Sequence, residues 1–376
     1  MRKIIIETRK SGYQMPTEIY FGRGTLGKLS NIIRKQKQKK FLLVTGSHLA
    51  NHKIKNGLHK TKKVFNYPFK ITTSDFATIN QLSTYARKGY DGIIAVGGGA
   101  ILDSAKSAAI LATNNGQVED YTKKGETLKN KGILYIAVPT TAGTGSEVTP
   151  WAVVWSKNKK FSLSSTKLMF PTIALVDPEL TDSMPPKITA TSGIDALCQA
   201  IEAYWNIHSN PTTDKYALQA IALLTTNLKN VVRKPTKKTR DLIAKGSLLG
   251  GLAFSNTQTT ICHSISYPMT IHWKIAHGQA TSITLPLFIE YTFPILSIKR
   301  KKRILDAIGV KNTKQASEKI RSLISSVGLK TRLSELGIPR KGIKTIVKEG
   351  YDPERALNAP RIPSHNELEE MLAKIY

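Results

Sequence analysis

The chain is 376 residues long, 40% hydrophobic and 22% charged, a composition that supports a large core and two domains and excludes a disordered or fibrous polypeptide. With 56 Lys and Arg against 26 Asp and Glu, the formal net charge is +30, which draws anions toward the surface. Two cysteines, Cys198 and Cys262, exclude a disulfide framework, and no apolar run approaches the ~20 residues of a membrane span. The N-terminus, MRKIIIETRK, is basic but lacks an apolar region of signal-peptide length, so a cytoplasmic enzyme is expected.

The first half alternates short apolar strands with helical segments, the pattern of a parallel α/β sheet. Strands are expected at Thr17–Phe21, Phe41–Val44, Val64–Ile71, Ile93–Val96, Ile133–Val138 and Ile173–Val176, with helices from Thr25 to about Gln36 and over Ile79–Lys88. Val153–Phe161 reads as a hairpin with Lys157, Asn158 and Lys159 at its tip. After Pro185-Pro186 the periods turn helical. A helix capped by Ser192 or Gly193 runs to about Trp205, and one capped by Thr212 or Thr213 runs to about Val232. Further helices are expected over Thr239–Phe254, Thr260–His272, Ala280–Leu296, Gln315–Val327 and His365–Tyr376. The domains therefore divide as 1–184, α/β, and 185–376, all helical, with the active site expected in the cleft between them.

Two loops carry chemistry. Ile93–Val96 runs into Gly97, Gly98 and Gly99 and then into the small-residue helix of GGGAILDSAK. Glycines let backbone N–H groups approach phosphate oxygens, and the helix N-terminus favours negative charge there. Some forty residues on, Ile133–Val138 ends in PTTAGTGSEVT, which sets Thr140, Thr141, Thr144 and Ser146 among glycines at a strand end, where ligands of open α/β sheets bind. In the helical half, Asp195 and Gln199 share a helix face, and His263 and His277 follow on later segments. Together they offer hard and borderline donors for one divalent metal. The basic runs Arg34–Lys40 and Lys299–Arg303 are not interleaved with aromatics, so nucleic acid is not the expected partner.

GGGAILDSAK, PTTAGTGSEVT, VDPELTDSMPPKITATSGIDAL and CHSISYP followed by His277-Gly278 resemble the iron-containing (group III) alcohol dehydrogenase family, over nearly the whole chain. The resemblance implies the dehydroquinate synthase-like fold, a nucleotide-binding α/β domain followed by a helical domain holding iron or zinc, and here a homodimer. Within the family, GTGSEVTPWAVVW, the KKFSL segment and TATSGIDALCQAIEAYWN are most similar to phosphonoacetaldehyde reductases, which make 2-hydroxyethylphosphonate. Carried over by position, the resemblance implies that Gly97, Gly98 and Gly99 hold the pyrophosphate of NADPH or NADH, with Asp103 near the substrate. It implies that Thr140, Thr141 and Thr149 contact the cofactor, that Lys160 lies near the nicotinamide ribose, and that Asp195, Gln199, His263 and His277 bind the metal. Two positions depart from the family, which usually has His where Gln199 and Tyr267 stand. Tyr267 or His272 is then the candidate for proton relay.

NAD-selective members tend to have an acidic residue after the second strand. Here Val44-Thr45-Gly46-Ser47-His48 has none, so Gly46 and Ser47, with Lys53 beyond, favour NADPH at least as much as NADH. The substrate expected is a small anionic aldehyde, with Thr149, Lys160 and the hydroxyls of Ser255–Thr260 as candidate donors. An uncharged short-chain aldehyde or alcohol is the alternative.

Overall fold

The computed structural model describes residues 2–4, 12–37, 40–46, 64–157 and 159–376. Ser47 and Lys53, parts of the run Arg34–Lys40, and the hairpin-tip residue Asn158 lie outside the described residues. The chain divides into two compact units, one built on Gln14–Thr141 and Gly145–Ser183, the other on Met184–Tyr376 together with Ala142–Thr144.

The first unit is built on strands β1 (Arg2–Ile4), β2 (Glu18–Phe21), β3 (Phe41–Thr45), β4 (Val64–Asn66), β5 (Gly92–Gly97), β6 (Leu134–Pro139) and β9 (Ile173–Val176). They form one sheet in the order β1-β2-β9-β6-β5-β3-β4, parallel except for β1, which runs antiparallel to β2 at the edge. The strands β7 (Trp151–Trp155) and β8 (Lys160–Ser164) form a separate antiparallel hairpin. Alternation along β5 serves both faces of the sheet. Ile93 and Ala95 join Leu42, Leu102, Ala105 and Ala108 in one core, while Ile94 and Val96 join Leu29, Ile33, Leu43 and Ile136 in another. The helices of this unit are α1 (Leu29–Lys35), α2 (Phe76–Ala86), α3 (Gly99–Leu111) and α4 (Val118–Thr122). Asp75 caps α2 by accepting the Thr78 N–H at 2.8 Å, so that helix starts before the expected Ile79. The strand expected to reach Ile71 stops at Asn66, because Pro68 has no N–H to give a ladder.

The second unit is helical: α5 (Pro186–Trp205), α6 (Pro211–Arg233), α7 (Lys237–Thr257), α8 (Ile261–Trp273), α9 (His277–Ser282), α10 (Leu285–Thr292), α11 (Ile298–Ile308), α12 (Thr313–Ser326), α13 (Gly342–Glu349), α14 (Pro353–Ala356) and α15 (His365–Ala373). Three expectations are corrected here. The first helix begins at Pro186, not at Ser192 or Gly193, because a proline is pre-set for the first helical position; Gly193 lies mid-helix against Leu228 of α6. The cap of α6 is Asn210, whose side chain accepts the N–H groups of Thr212 and Thr213. The long helix expected over Ala280–Leu296 is broken, with Pro286 in the first turn of α10. The basic run Lys299–Arg303 falls within α11, a helix its charge had obscured. There Arg300 forks onto the buried Asp214 at 2.6 and 3.1 Å and also donates to Ser209. Burial pushes the Asp214 carboxyl up, and Arg300 opposes that.

α5 is buried nearly all round, from Ile194 through Trp205, and each fully buried Ile or Leu contributes about 1.5–3 kcal/mol. A functional face on such a helix has a fixed position.

Candidate active site

In the first unit β5 and β6 are neighbours, and the loops that leave them are joined: Thr140 donates its N–H to the Gly97 carbonyl at 2.9 Å. Gly97 is required by contact, because a Cβ there would fall 2.4 Å from Ile101 Cδ1 and 2.8 Å from Ile101 Cβ. Gly98 is the N-cap of α3, without a side chain to occupy its N–H groups, and Gly99 opens the helix. Thr141 lies beside Gly98, with its Cγ2 3.4 Å from where a Gly98 Cβ would stand. Thr140, Thr141, Gly46 and Lys160 are partly exposed.

Asp103, expected near the substrate, and Thr149, expected against the cofactor, both have buried side chains engaged within the protein. Asp103 is buried; its Oδ1 accepts from Ser146 Oγ at 2.6 Å and its Oδ2 from the Val153 N–H at 3.1 Å. Thr149 is 1% exposed, and its hydroxyl receives Lys106 Nζ at 3.2 Å. Burial pushes the Asp103 carboxyl up and lowers Lys106 to about 8, each partly countered by the other's charge. Burial likewise raises Glu147 to about 7.

In the second unit, Asp195, His263 and His277 each place a ligand atom within 4.8 Å of the others, a cluster found among the described residues. Asp195 Oδ1 lies 3.5 Å from His263 Nε2 and 3.9 Å from His277 Nε2, and accepts from Thr281 Oγ1 at 3.4 Å. Burial would raise the Asp195 carboxyl, but His277 and His263 hold it below the usual carboxylate range. Gln199, one turn along α5, donates Nε2 to Asp195 Oδ2 at 3.0 Å. That leaves its Oε1 buried without a hydrogen-bond partner, as is His263 Nε2. Two unpartnered buried polar atoms beside a carboxylate fit a bound cation, since without a partner each carries an uncompensated desolvation cost.

Glu202 was not anticipated from the sequence. It lies on the same α5 face, at the i+7 position from Asp195, and that spacing was the available signal. Glu202 Oε2 bonds His263 Nδ1, while Oε1 accepts from Thr260 Oγ1 at 2.7 Å and the Cys262 N–H at 2.8 Å. A carboxylate on Nδ1 sets the tautomer that frees Nε2 for a metal. His277 is brought in by Gly278, where a Cβ would fall 1.9 Å from the Thr191 carbonyl oxygen and 3.2 Å from Asp195 Cβ.

Tyr267 stacks on the His277 ring, centroids 6.2 Å apart and planes 14° apart. His272 pairs with Glu349 at 2.7 Å on an exposed surface. Nine positions after His263, it falls on the opposite side of α8. The hydroxyls of Ser255, Thr257 and Thr260, expected as substrate donors, instead donate to Leu252 O, Gln258 O and Glu202.

A doubly wound α/β unit with a glycine loop, followed by a helical unit bearing a carboxylate–imidazole cluster, defines a two-domain metal-dependent oxidoreductase. The chain belongs to the iron-containing alcohol dehydrogenase family: residues 16–178 match its "Iron-containing alcohol dehydrogenase" region and residues 189–376 its "Fe-containing alcohol dehydrogenase family, C-terminal" region. It is 32% identical over 365 residues to long-chain-alcohol dehydrogenase 1 of Geobacillus thermodenitrificans, covering 93% of this chain and 92% of that protein. It is 27% identical to sulfoacetaldehyde reductase of Bilophila wadsworthia, covering 94% and 96%. Among solved structures, sulfoacetaldehyde reductase from Bifidobacterium kashiwanohense in complex with NAD+ superposes with a TM-score of 0.90 at 30% identity, covering 96% of this chain and 98% of that one. Among the described residues no helix is long and apolar enough to cross a membrane.

Proposed function

We propose that the protein is a metal-dependent, NAD(P)H-linked reductase of small anionic aldehydes, with phosphonoacetaldehyde, reduced to 2-hydroxyethylphosphonate, as its best substrate. The observation that carries the metal-dependent reading is the pair of buried unpartnered atoms, Gln199 Oε1 and His263 Nε2, beside Asp195 and His277. Two relatives that are sulfoacetaldehyde reductases by name, together with the net charge of +30, support the anionic substrate.

When bound, the metal supplies Lewis acidity to a carbonyl oxygen, and the reduced nicotinamide supplies the hydride. The protein's own groups supply placement. Asp195, Gln199, His263 and His277 hold the metal. Glu202 orients the His263 ring through Nδ1, so that Nε2 faces the metal position. Gly97–Gly99, with the start of α3, bind the pyrophosphate, and Thr140 and Thr141 bond to the cofactor at the adjoining loop. Proton delivery to the product oxygen we assign to Tyr267, whose ring stacks on that of His277, because His272 is engaged by Glu349.

The test compares kcat/KM for phosphonoacetaldehyde, sulfoacetaldehyde and propanal at two salt concentrations. Over tenfold preference for the phosphonate over propanal, about 1.4 kcal/mol of transition-state binding, is expected, and part of it fades with salt. A larger value for sulfoacetaldehyde removes the phosphonate and keeps the anionic class. Equal efficiency on propanal removes the anionic class and favours an uncharged aldehyde.

A further inference from the structure

Asp103 and Lys106 lie one turn apart on α3, both buried, and the chemistry above uses neither. Among the described residues their side-chain hydrogen bonds go to one short segment, 146–153. Lys106 Nζ donates to the carbonyl oxygens of Ser146 at 2.7 Å, Thr149 at 2.9 Å and Trp151 at 2.7 Å, besides Thr149 Oγ1. Asp103 takes the Ser146 hydroxyl and the Val153 N–H. An ammonium has three protons, and this one spends them on loop oxygens. Its distance from solvent and its full set of acceptors leave it nothing to offer a ligand directly. What it does is fasten the loop that follows β6 to the helix whose first turn holds Gly99, about two turns away.

We infer that Lys106 and Asp103 are a positioning pair: they clamp the 146–153 segment onto α3, so that the glycine turn after β5 and the threonine loop after β6 present themselves to the cofactor as one rigid surface. The inference rests on the reading that these two loops hold the nicotinamide cofactor. Its physical basis is preorganisation, since a loop already fixed in its bound form loses less entropy when the cofactor arrives. A charged hydrogen-bond donor is suited to this because each of its bonds is stronger than a neutral one, and breaking the set would leave buried carbonyls without that donor.

The experiment uses the metal-loaded, full-length protein and the variants Lys106→Met and Ser146→Ala. Hydrogen exchange is followed by mass spectrometry over residues 144–153, and NADPH and NADH dissociation constants are measured by fluorescence. For Lys106→Met we expect at least tenfold faster exchange in that segment and at least tenfold weaker cofactor binding. Metal content and kcat at saturating cofactor should stay within twofold of wild type, a split that general destabilisation would not produce. Ser146→Ala deletes one hydroxyl and keeps the question answerable if Lys106→Met does not fold; it should show the same pattern on a smaller scale. Unchanged exchange in 144–153 in a folded variant overturns the clamp. Faster exchange with unchanged cofactor affinity keeps the clamp and removes the cofactor from this loop.

Discussion

Glu202 holds His263 through Nδ1, and the same carboxylate gathers the Thr260 hydroxyl and the Cys262 N–H at the start of α8. One residue of α5 therefore holds both the ring of a proposed metal ligand and the start of the helix that carries it. Glu202→Gln keeps the shape and loses the charge, and should weaken metal affinity by roughly ten- to a hundredfold. Competition with a chromophoric chelator measures this; an unchanged affinity would reduce Glu202 to a packing residue.

In the proposed metal site Gln199 would contribute an amide oxygen, its buried unpartnered Oε1, where an imidazole would be a better donor for zinc. Gln199→His should tighten zinc binding by tenfold or more and manganese binding by less, read as dissociation constants on metal-stripped protein. His277→Ala should lose both metal and most activity. If Gln199→His leaves zinc affinity where it was, Gln199 is not a ligand.

Glu147 is buried and raised from 4.5 to about 7, chiefly by desolvation, with Lys106 opposing and Asp103 adding to the rise. The folded protein holds this proton more tightly than the unfolded chain. Its contribution to stability is thus present below pH 4.5 and lost as pH rises through about 7, a difference on the order of 3 kcal/mol. Glu147→Gln should remove that slope. Comparing unfolding free energies at pH 4.5 and 8, the variant should gain on wild type at the higher pH; parallel curves would contradict the burial argument.

Cofactor choice follows from the end of β3, where Val44-Thr45-Gly46 carries no carboxylate to bond a ribose 2′-hydroxyl or repel a 2′-phosphate. NADPH should therefore give kcat/KM at least equal to NADH with the same aldehyde. A clear preference for NADH would show that an acidic group elsewhere faces the ribose.

Much of the first unit was legible because its strands are short apolar runs ended by glycine, proline or threonine, and local order suffices to mark them. Ile93–Val96 became β5 with one residue added at each end. The helices were harder. A charge run hid α11, whose buried residues Ile304, Leu305 and Ile308 follow it rather than interleave with it. Pro186 misled, since it starts a helix whose cap was expected at Ser192 or Gly193, whereas the helix expected over Thr260–His272 does run through Pro268 as α8. Pro268 is tolerated there because tertiary contacts hold the segment, with Ser264 Oγ bonded to the Gly350 carbonyl and to the Asp352 N–H at 2.7 Å.

By itself the sequence marked the candidates for chemistry: the glycine turn and the threonine loop from residue type and spacing, and Asp195, Gln199, His263 and His277 chiefly through the family resemblance. The tertiary structure alone decided which way each polar atom faces. Thr149 and Asp103 point into the protein because Lys106 and the 146–153 segment satisfy them there. Glu202 belongs to the site because α5 and α8 bring it to His263 across sixty-one positions of chain. Burial and hydrogen-bond satisfaction are properties of neighbours distant in sequence, so no local pattern encodes them, and they separate a residue that meets a ligand from one that supports it.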